Sequence, residues 1–172
     1  DENVQLVRAA NLAKFYTGEA RFRTMANHAL RYAVAPGVLD SRPFLVNVLL
    51  ADYWFQNEPA HVTVVGHKDS VAAKKLINAA RRYPADYMLV EWWDKREGPL
   101  PNPAINYPEL EQPAAFACAD RSCSLPVFEA DKVAAAVDRL QPQYEPQDSA
   151  ASVEAKAGVS VTSASGNKHL NQ

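Results

Sequence analysis

The sequence predicts an α/β protein with N-terminal helices over residues 1–60, a small α/β layer over 61–140 and a flexible tail over 141–172. Three observations predict this order. Apolar residues recur at helical spacing up to about residue 57, β-branched runs alternate with helical patterns from His61 onwards, and large apolar residues become sparse beyond Leu140. The expected fold is a helical hairpin and a buried helix, followed by a mostly parallel three-stranded layer.

The first two helices are predicted from the spacing of apolar residues and from stop signals. Apolar residues follow the 3, 4, 7 spacing of one helix face from Leu6 to Tyr16, and the pair Thr17-Gly18 should end that helix because glycine accepts the left-handed cap conformation. A second pattern runs from Phe22 until Pro36-Gly37 interrupts it. The two helices should therefore form an antiparallel hairpin with a tight turn.

A third helix is predicted over residues 44–58. Its segment, FLVNVLLADYWFQNE, is apolar on nearly every side. Ser41 is placed as an N-cap and Pro43 in the first turn, where its missing amide proton costs nothing. A helix of this composition is expected to be buried all round.

The hydrophobic period changes at residue 61. The segments HVTVVG, 61–66, and DYMLVEWW, 86–93, are strand candidates, and an amphipathic helix capped by Asp69 or Ser70 lies between them. A strand, a helix and a strand with short connections imply a parallel pair joined by a right-handed crossover.

The end of the α/β layer is predicted from composition. Residues 94–113 are rich in proline and asparagine and should form a long irregular loop. The segment AAFAC, 114–118, is a third strand candidate, and 129–140 should be a final amphipathic helix. Beyond it, residues 141–172 contain too few large apolar groups to offset the entropy of ordering.

Composition and charge exclude several kinds of partner. The 172 residues are 48% hydrophobic and 22% charged, a balance typical of a soluble globular chain. The formal net charge is −2 with both signs interspersed, which argues against nucleic acid as a partner. The longest apolar run, 44–51, is too short to span a bilayer, so no membrane partner is expected. Two cysteines leave a cytoplasmic and a periplasmic location equally open.

The segment FACADRSC, 116–123, contains both cysteines. Cys118 and Cys123 could form a redox pair, half of a metal site, a structural disulfide or two packed thiols. A redox pair usually has two intervening residues at a helix N-terminus, and zinc would need about four ligands where only His61 and His67 lie plausibly near. We therefore expect no metal or other cofactor, and a structural disulfide that forms under oxidising conditions and has no exchange activity of its own.

One turn could bind a ligand. Gly66, His67, Asp69 and Ser70 lie where a parallel strand meets a helix N-terminus, which is where α/β folds bind anions or cofactors. A plain strand-to-helix turn with an N-cap explains the same residues, because the glycine-rich fingerprint of a nucleotide site is missing.

Trp92 and Trp93 could mark an interface. Adjacent residues of a strand face opposite sides of the sheet, so only one of these two side chains is expected in a core. The other would stack on a sugar or cover a contact with a partner.

Several segments, in this order, carry a resemblance to a known family. They are LAKFYTGEARFRTMANHAL, a buried helix, PAHVTVVGHKDSVAAKKLINAA and AAFACADRSCSLPVFEADKVAAAVDRL. Over roughly residues 4–140 the chain resembles the C-terminal end of bacterial thioredoxin-domain proteins related to spermatogenesis-associated protein 20. That family carries two cysteines four residues apart and a proline two residues later, matched here by Cys118, Cys123 and Pro126. It tends to have an acidic residue just after the position of Gly66, where this chain has His67.

The resemblance implies a function through the parts of the family's proteins that this chain lacks. In that family a thioredoxin-like domain precedes a barrel of six helical hairpins, akin to N-acylglucosamine 2-epimerases, and the chain ends in an α/β stretch. Residues 1–60 would then be the end of the helical barrel. The chain would then be a fragment, a non-catalytic scaffold or interaction module whose partner is the remainder of the parent protein or a second copy. The sequence agrees, because it contains no metal-spaced histidine pair, nucleophile elbow or Walker loop.

Two other functions fit parts of the sequence. The chain could belong to a carbohydrate-active or redox enzyme and contribute a loop to its site. It could also be a helical-repeat adaptor, as the first two helices suggest, although the strands beyond His61 argue against this.

Overall fold

Helices come first along the chain and strands follow, which confirms the predicted α/β order. The computed structural model describes residues 2–103, 105–108, 110–119 and 122–140, so the predicted tail, 141–172, lies outside the described residues. The helices are α1 (Glu2–Thr17), α2 (Ala20–Ala33), α3 (Pro36–Leu39), α4 (Val46–Gln56), α5 (Val71–Arg82) and α6 (Val133–Asp138). The strands are β1 (Ala60–Val65), β2 (Met88–Trp93), β3 (Ala114–Ala119) and β4 (Ser122–Cys123).

The predicted hairpin of α1 and α2 is confirmed. Gly18 ends α1 with a φ of +74°, and its amide donates to the carbonyl of Lys14 at 2.8 Å. Small alanines on α2 allow the two helices to approach closely. The core between them and α4 is made of the buried residues Val4, Val7, Ala29, Leu30, Ala33, Val48 and Ala51.

The third long helix, α4, is shorter and less buried than predicted. It begins at Val46 with Leu45 as its N-cap, whereas the hydroxyl of Ser41 donates to the carbonyl of Val38 at 2.7 Å, at the end of the unpredicted helix α3. Within α4 only Val48, Ala51 and Trp54 are buried. The prediction of burial all round is wrong because α4 packs against α1 and α2 on one side only.

The sheet has four strands in the order β2-β1-β3-β4, and the predicted parallel pair β1–β2 is confirmed. The prediction of a mostly parallel three-stranded layer is wrong, because β3 runs antiparallel to β1 and β4 antiparallel to β3. Among the described residues between β2 and β3, no α-helix returns the chain to the end of the sheet at which β1 and β2 begin. The next strand therefore starts where β2 ended, with Ala114 opposite Val65, and runs back.

The two faces of the sheet are covered differently. Helices α5 and α6 pack on one face, around the buried residues Val62, Val64, Leu76, Ile77, Ala115, Ala117, Val133 and Val137. The other face is covered by part of the connection after β2, with Tyr107 packed on Val65 and Phe116. The final helix is shorter than predicted, since residues 130–132 form a 3₁₀ turn before α6. None of the helices described is both long enough and apolar enough to cross a membrane.

Candidate functional site

A cleft of about 300 Å³ opens on the sheet face opposite α5 and α6. Its floor is formed by strand residues, and its walls come from the end of α1, the segment before β1 and the connection after β2. The polar or sulfur-containing side chains that line it are Lys14, Glu58, His61, Glu91, Asn102, Cys118 and Cys123.

Four residues form one row across the floor of this cleft. His61 is paired with Leu89 on the parallel side and with Cys118 on the antiparallel side, and Cys118 is paired with Cys123. Side chains of directly opposed residues point to the same face of a sheet with their Cβ atoms about 4.5–5.5 Å apart. The imidazole of His61 therefore lies beside Cys118.

Cys118 and Cys123 are joined by a disulfide. Of the four states left open by the sequence, the structure thus adopts the disulfide. Cys123 lies in β4 rather than in a loop, because the chain folds back into a hairpin that places it opposite Cys118. Cys118 is buried and Cys123 is exposed, so only one of the two sulfur-bearing residues is open to solvent.

His61 carries an unsatisfied polar atom. Its Nε2 is enclosed by protein and has no hydrogen-bond partner among the described residues. Burial lowers the pKa of His61 below its usual 6.5, and the negative charge of Glu58 opposes this only in part. The ring is therefore neutral at pH 7. A buried polar atom without a partner is uncommon and costs about 1–3 kcal/mol.

A chain of buried hydroxyl and carboxyl groups lies next to His61. The phenol of Tyr107 donates to Oγ1 of Thr63 at 2.7 Å, and Thr63 donates to Oε2 of Glu91 at 3.2 Å. Burial raises the pKa of Glu91 above 4.5, and it also raises the pKa of Tyr107. The sequence analysis missed this chain. The sequence nevertheless indicates a buried carboxyl group, because Glu91 lies between Leu89 and Trp93 on the same face of the strand.

The predicted ligand turn at Gly66 is occupied by protein groups. The carboxylate of Asp94, which is 2% exposed, accepts from the Lys68 amide at 2.8 Å and lies 3.3 Å from Nδ1 of His67. Hydrogen bonds from Arg96 hold the pKa of Asp94 far below its usual value. An internal carboxylate thus takes the place that an anionic ligand would need, which favours the structural interpretation of this turn.

The remaining residues of the turn also have local partners. Asp69 pairs with Arg96 at 3.1 Å, and Ser70 caps α5 by accepting from the Ala73 amide at 3.4 Å. Gly66 has a φ of +154°, and a Cβ there would come within 2.7 Å of the Cβ of Pro113. Glycine is therefore needed for close packing at this turn.

Trp92 and Trp93 are both half-buried, on opposite faces of the sheet. The indole of Trp92 donates to the carbonyl of Gly66 at 3.0 Å, and that of Trp93 donates to the carbonyl of Gly98 at 2.9 Å. The prediction that only one of them enters a core is wrong, because helices cover one face of the sheet and the ring of Tyr107 lies 6.0 Å from that of Trp93 on the other.

His61 and His67 do not come together as metal ligands. They lie at the two ends of β1, a strand of six residues that spans about 20 Å at the usual rise. Among the residues that the structure describes, no group of three or more histidine, cysteine, aspartate or glutamate side chains is arranged to hold a metal ion.

The outer side of α4 exposes four apolar side chains, which we call the α4 stripe. They are Val46, Leu49, Leu50 and Tyr53, with exposed fractions of 63%, 64%, 39% and 59%. Phe44, just before the helix, is 82% exposed. The sequence indicated that this helix is apolar on nearly every side, but not which side would lack a neighbour.

Comparison with known proteins identifies no relative. No family model matches the chain, and neither a curated protein nor a solved structure matches it significantly. The α4 stripe and the cleft are therefore the two features from which a function can be inferred.

Proposed function

We propose that the chain is a non-catalytic scaffold module that docks onto further helices of a larger protein through the α4 stripe. The observation that carries this proposal is the exposure of Leu49 and Tyr53, at 64% and 59%, on a helix whose opposite side is buried. Contiguous apolar patches of this kind are rare on monomeric proteins unless they bind something.

The geometry of the stripe favours a helix as the partner. Residues 46, 49, 50 and 53 follow the i, i+3, i+4, i+7 spacing and so lie on one side of α4. A row of this kind packs into the groove of a second helix, and none of its four members carries a charge that would have to be desolvated.

The arrangement of the other helices supports the same partner. Helices α1, α2 and α4 already pack around one core, with Val48 and Ala51 of α4 facing inwards. An additional helix on the outer side of α4 would extend this layer by one member. The resemblance of the chain to the C-terminal end of that family, in which residues 1–60 would be the end of a barrel of helical hairpins, agrees with such an extension.

Sedimentation velocity on the isolated chain tests the proposal. Without its helical partner, the chain should self-associate and bind a dye that reports exposed apolar surface. The double variant L49E/Y53E should be monomeric and should lose the dye signal, because a charge on the stripe cannot be buried against an apolar surface.

The variant L125E is the matched control, since Leu125 is 86% exposed and lies outside α4. It should associate as the unmodified chain does. A clean monomer at high concentration with no dye binding would overturn the proposal, and so would association that L125E abolishes and L49E/Y53E leaves intact.

A further inference from the structure

We propose that, in the isolated chain, the α4 stripe binds helix α2 of a second copy. This contact joins two different surfaces, so each copy offers one surface and receives the other. It rests on the proposed docking function, since it names the helix that covers the same stripe.

Helix α2 has an exposed row of its own, which we call the α2 row: Met25, His28 and Tyr32. These residues follow the i, i+3, i+7 spacing and so lie on one side of the helix. Met25 is 44% and Tyr32 is 54% exposed, and His28 is also exposed. The residues of α2 that face the core are Ala26, Ala29, Leu30 and Ala33. A second helix can therefore bind the α2 row while the hairpin of α1 and α2 stays intact.

The charges beside the two surfaces are opposite in sign. Residues 43–60, which contain α4, include Asp52 and Glu58 but no lysine or arginine. Residues 20–34, which contain α2, include three arginines but no aspartate or glutamate. A contact between two copies of α4 would bring two acidic surfaces together, whereas a contact between α4 and α2 pairs opposite charges. The charges thus favour α2 over α4 as the helix that covers the stripe.

One pair of charges is expected at this contact. Asp52 borders the α4 stripe, and its half-buried carboxylate accepts from the neutral amide of Gln56 at 3.0 Å, which leaves its negative charge in place. Arg31 borders the α2 row and is exposed. The other exposed arginine of α2, Arg21, already pairs with Glu19 at 2.6 Å. The pair that the contact would form is therefore Arg31 with Asp52.

Sedimentation velocity with two variants that each lack one surface tests the contact. M25E/Y32E lacks the α2 row, and L49E/Y53E lacks the α4 stripe. Each variant alone should be monomeric at concentrations at which the unmodified chain associates, because the contact needs both surfaces. Mixed in equal amounts, they should form a 1:1 complex and nothing larger, since the intact stripe of one variant meets the intact row of the other.

Reversal of the charges tests the expected pair in the same mixture. R31E, added to L49E/Y53E, should raise the Kd of the mixed complex at least about 5-fold, because two negative charges then face each other. D52K, added to M25E/Y32E, should recover most of this loss. K75E is the matched control, since Lys75 is exposed on α5, and it should leave the Kd unchanged. Isothermal titration calorimetry measures these constants.

A second set of variants keeps the test valid if M25E/Y32E or L49E/Y53E does not fold. R31E and D52K, each in the otherwise unmodified chain, should associate more weakly than the unmodified chain. The double variant R31E/D52K should associate more strongly than either, because the reversed charges attract each other again across the contact.

The possible failures are distinguishable. Association of folded M25E/Y32E alone, or a mixture of folded variants that stays monomeric, would overturn the contact between α4 and α2 and leave the docking function of the stripe standing. Equal association of R31E, D52K and R31E/D52K would do the same. A clean monomer of the unmodified chain would instead overturn the docking function, and the contact with it.

Discussion

At the scale of single residues, Glu91 is an ionisable side chain buried on one face of the sheet. Its side chain is 9% exposed, and the hydroxyl of Thr63 donates to it while Tyr107 donates to Thr63. Burial penalises the carboxylate more than this hydrogen bond stabilises it, so the pKa of Glu91 is raised. Folding therefore shifts the protonation equilibrium of Glu91 towards the acid form.

The first prediction concerns the pH dependence of stability at Glu91. Because its folded pKa lies above the unfolded value, the favourable contribution of the acid form is present below about pH 4.3 and is lost as the pH rises through the folded pKa. The variant E91Q keeps an acceptor for Thr63 and cannot ionise. Its free energy of unfolding, relative to that of the unmodified chain, should increase from pH 4 to pH 7.

Urea denaturation at several pH values measures this difference. E111Q is the control, since Glu111 is exposed, and its difference from the unmodified chain should not change with pH in the same way. If the free energies of unfolding of E91Q and of the unmodified chain differed by the same amount at pH 4 and at pH 7, the raised pKa of Glu91 would be contradicted.

At the scale of elements, the disulfide is one of the contacts that hold the short strand β4 against β3. It has two residues, both exposed, and it pairs with β3 only through Cys118 with Cys123 and Ala119 with Ser122. A two-residue strand has almost no ladder to stabilise it. The disulfide and the hydrogen bond from the Ser124 amide to the Ala117 carbonyl, at 2.7 Å, therefore keep the hairpin closed together.

The second prediction is that C118S/C123S lowers the melting temperature only under oxidising conditions. Closing so short a loop constrains the unfolded chain by roughly 2 kcal/mol in the entropic model, which corresponds to a shift of a few degrees. Calorimetry with and without a reductant measures it. The reductant should lower the melting temperature of the unmodified chain to that of the variant, and an equal loss in both buffers would show that the side chains act through packing instead.

At the scale of the whole molecule, Asn11 joins the helices to the α/β layer. It is fully buried on α1, and its amide donates to the carbonyl of Trp54 at 2.7 Å and to the phenol of Tyr87. Its carbonyl oxygen accepts from Arg23 of α2 at 3.0 Å. Tyr87 also stacks on Trp54, with ring centroids 5.1 Å apart. One side chain thus contacts α2, α4 and the segment before β2.

The third prediction is that N11A destabilises both parts of the chain together. The loss of these hydrogen bonds leaves buried partners unsatisfied, and we expect a decrease of about 2–4 kcal/mol in the free energy of unfolding. In a W54F background, which removes the tryptophan of α4, far-ultraviolet circular dichroism follows mainly the helices, and the fluorescence of Trp92 and Trp93 follows the sheet. Both transitions should shift equally, and N27A, at an exposed position on α2, should shift neither. A shift seen by only one probe would show that Asn11 does not couple the two parts.

The sequence by itself determines those elements whose formation depends on residues close together in the chain. The hairpin of α1 and α2 follows from helical spacing and from Gly18, and the parallel pair β1–β2 follows from β-branched runs on either side of an amphipathic helix. The sequence also limits the cap of α5 to Asp69 or Ser70, because capping depends on residues only three positions apart, and the structure shows Ser70 in that role. In each case the information lies within a short stretch of chain.

Other features are determined only by the tertiary structure, because they depend on residues that are far apart in the sequence. The antiparallel direction of β3 follows from where the chain returns after β2, and the exposed side of α4 follows from the absence of a neighbour among the described elements. The cleft is of the same kind. No local pattern places His61 opposite Cys118, 57 positions later, because strand pairing is selected by the packing of both sheet faces at once and not by the sequence of either strand.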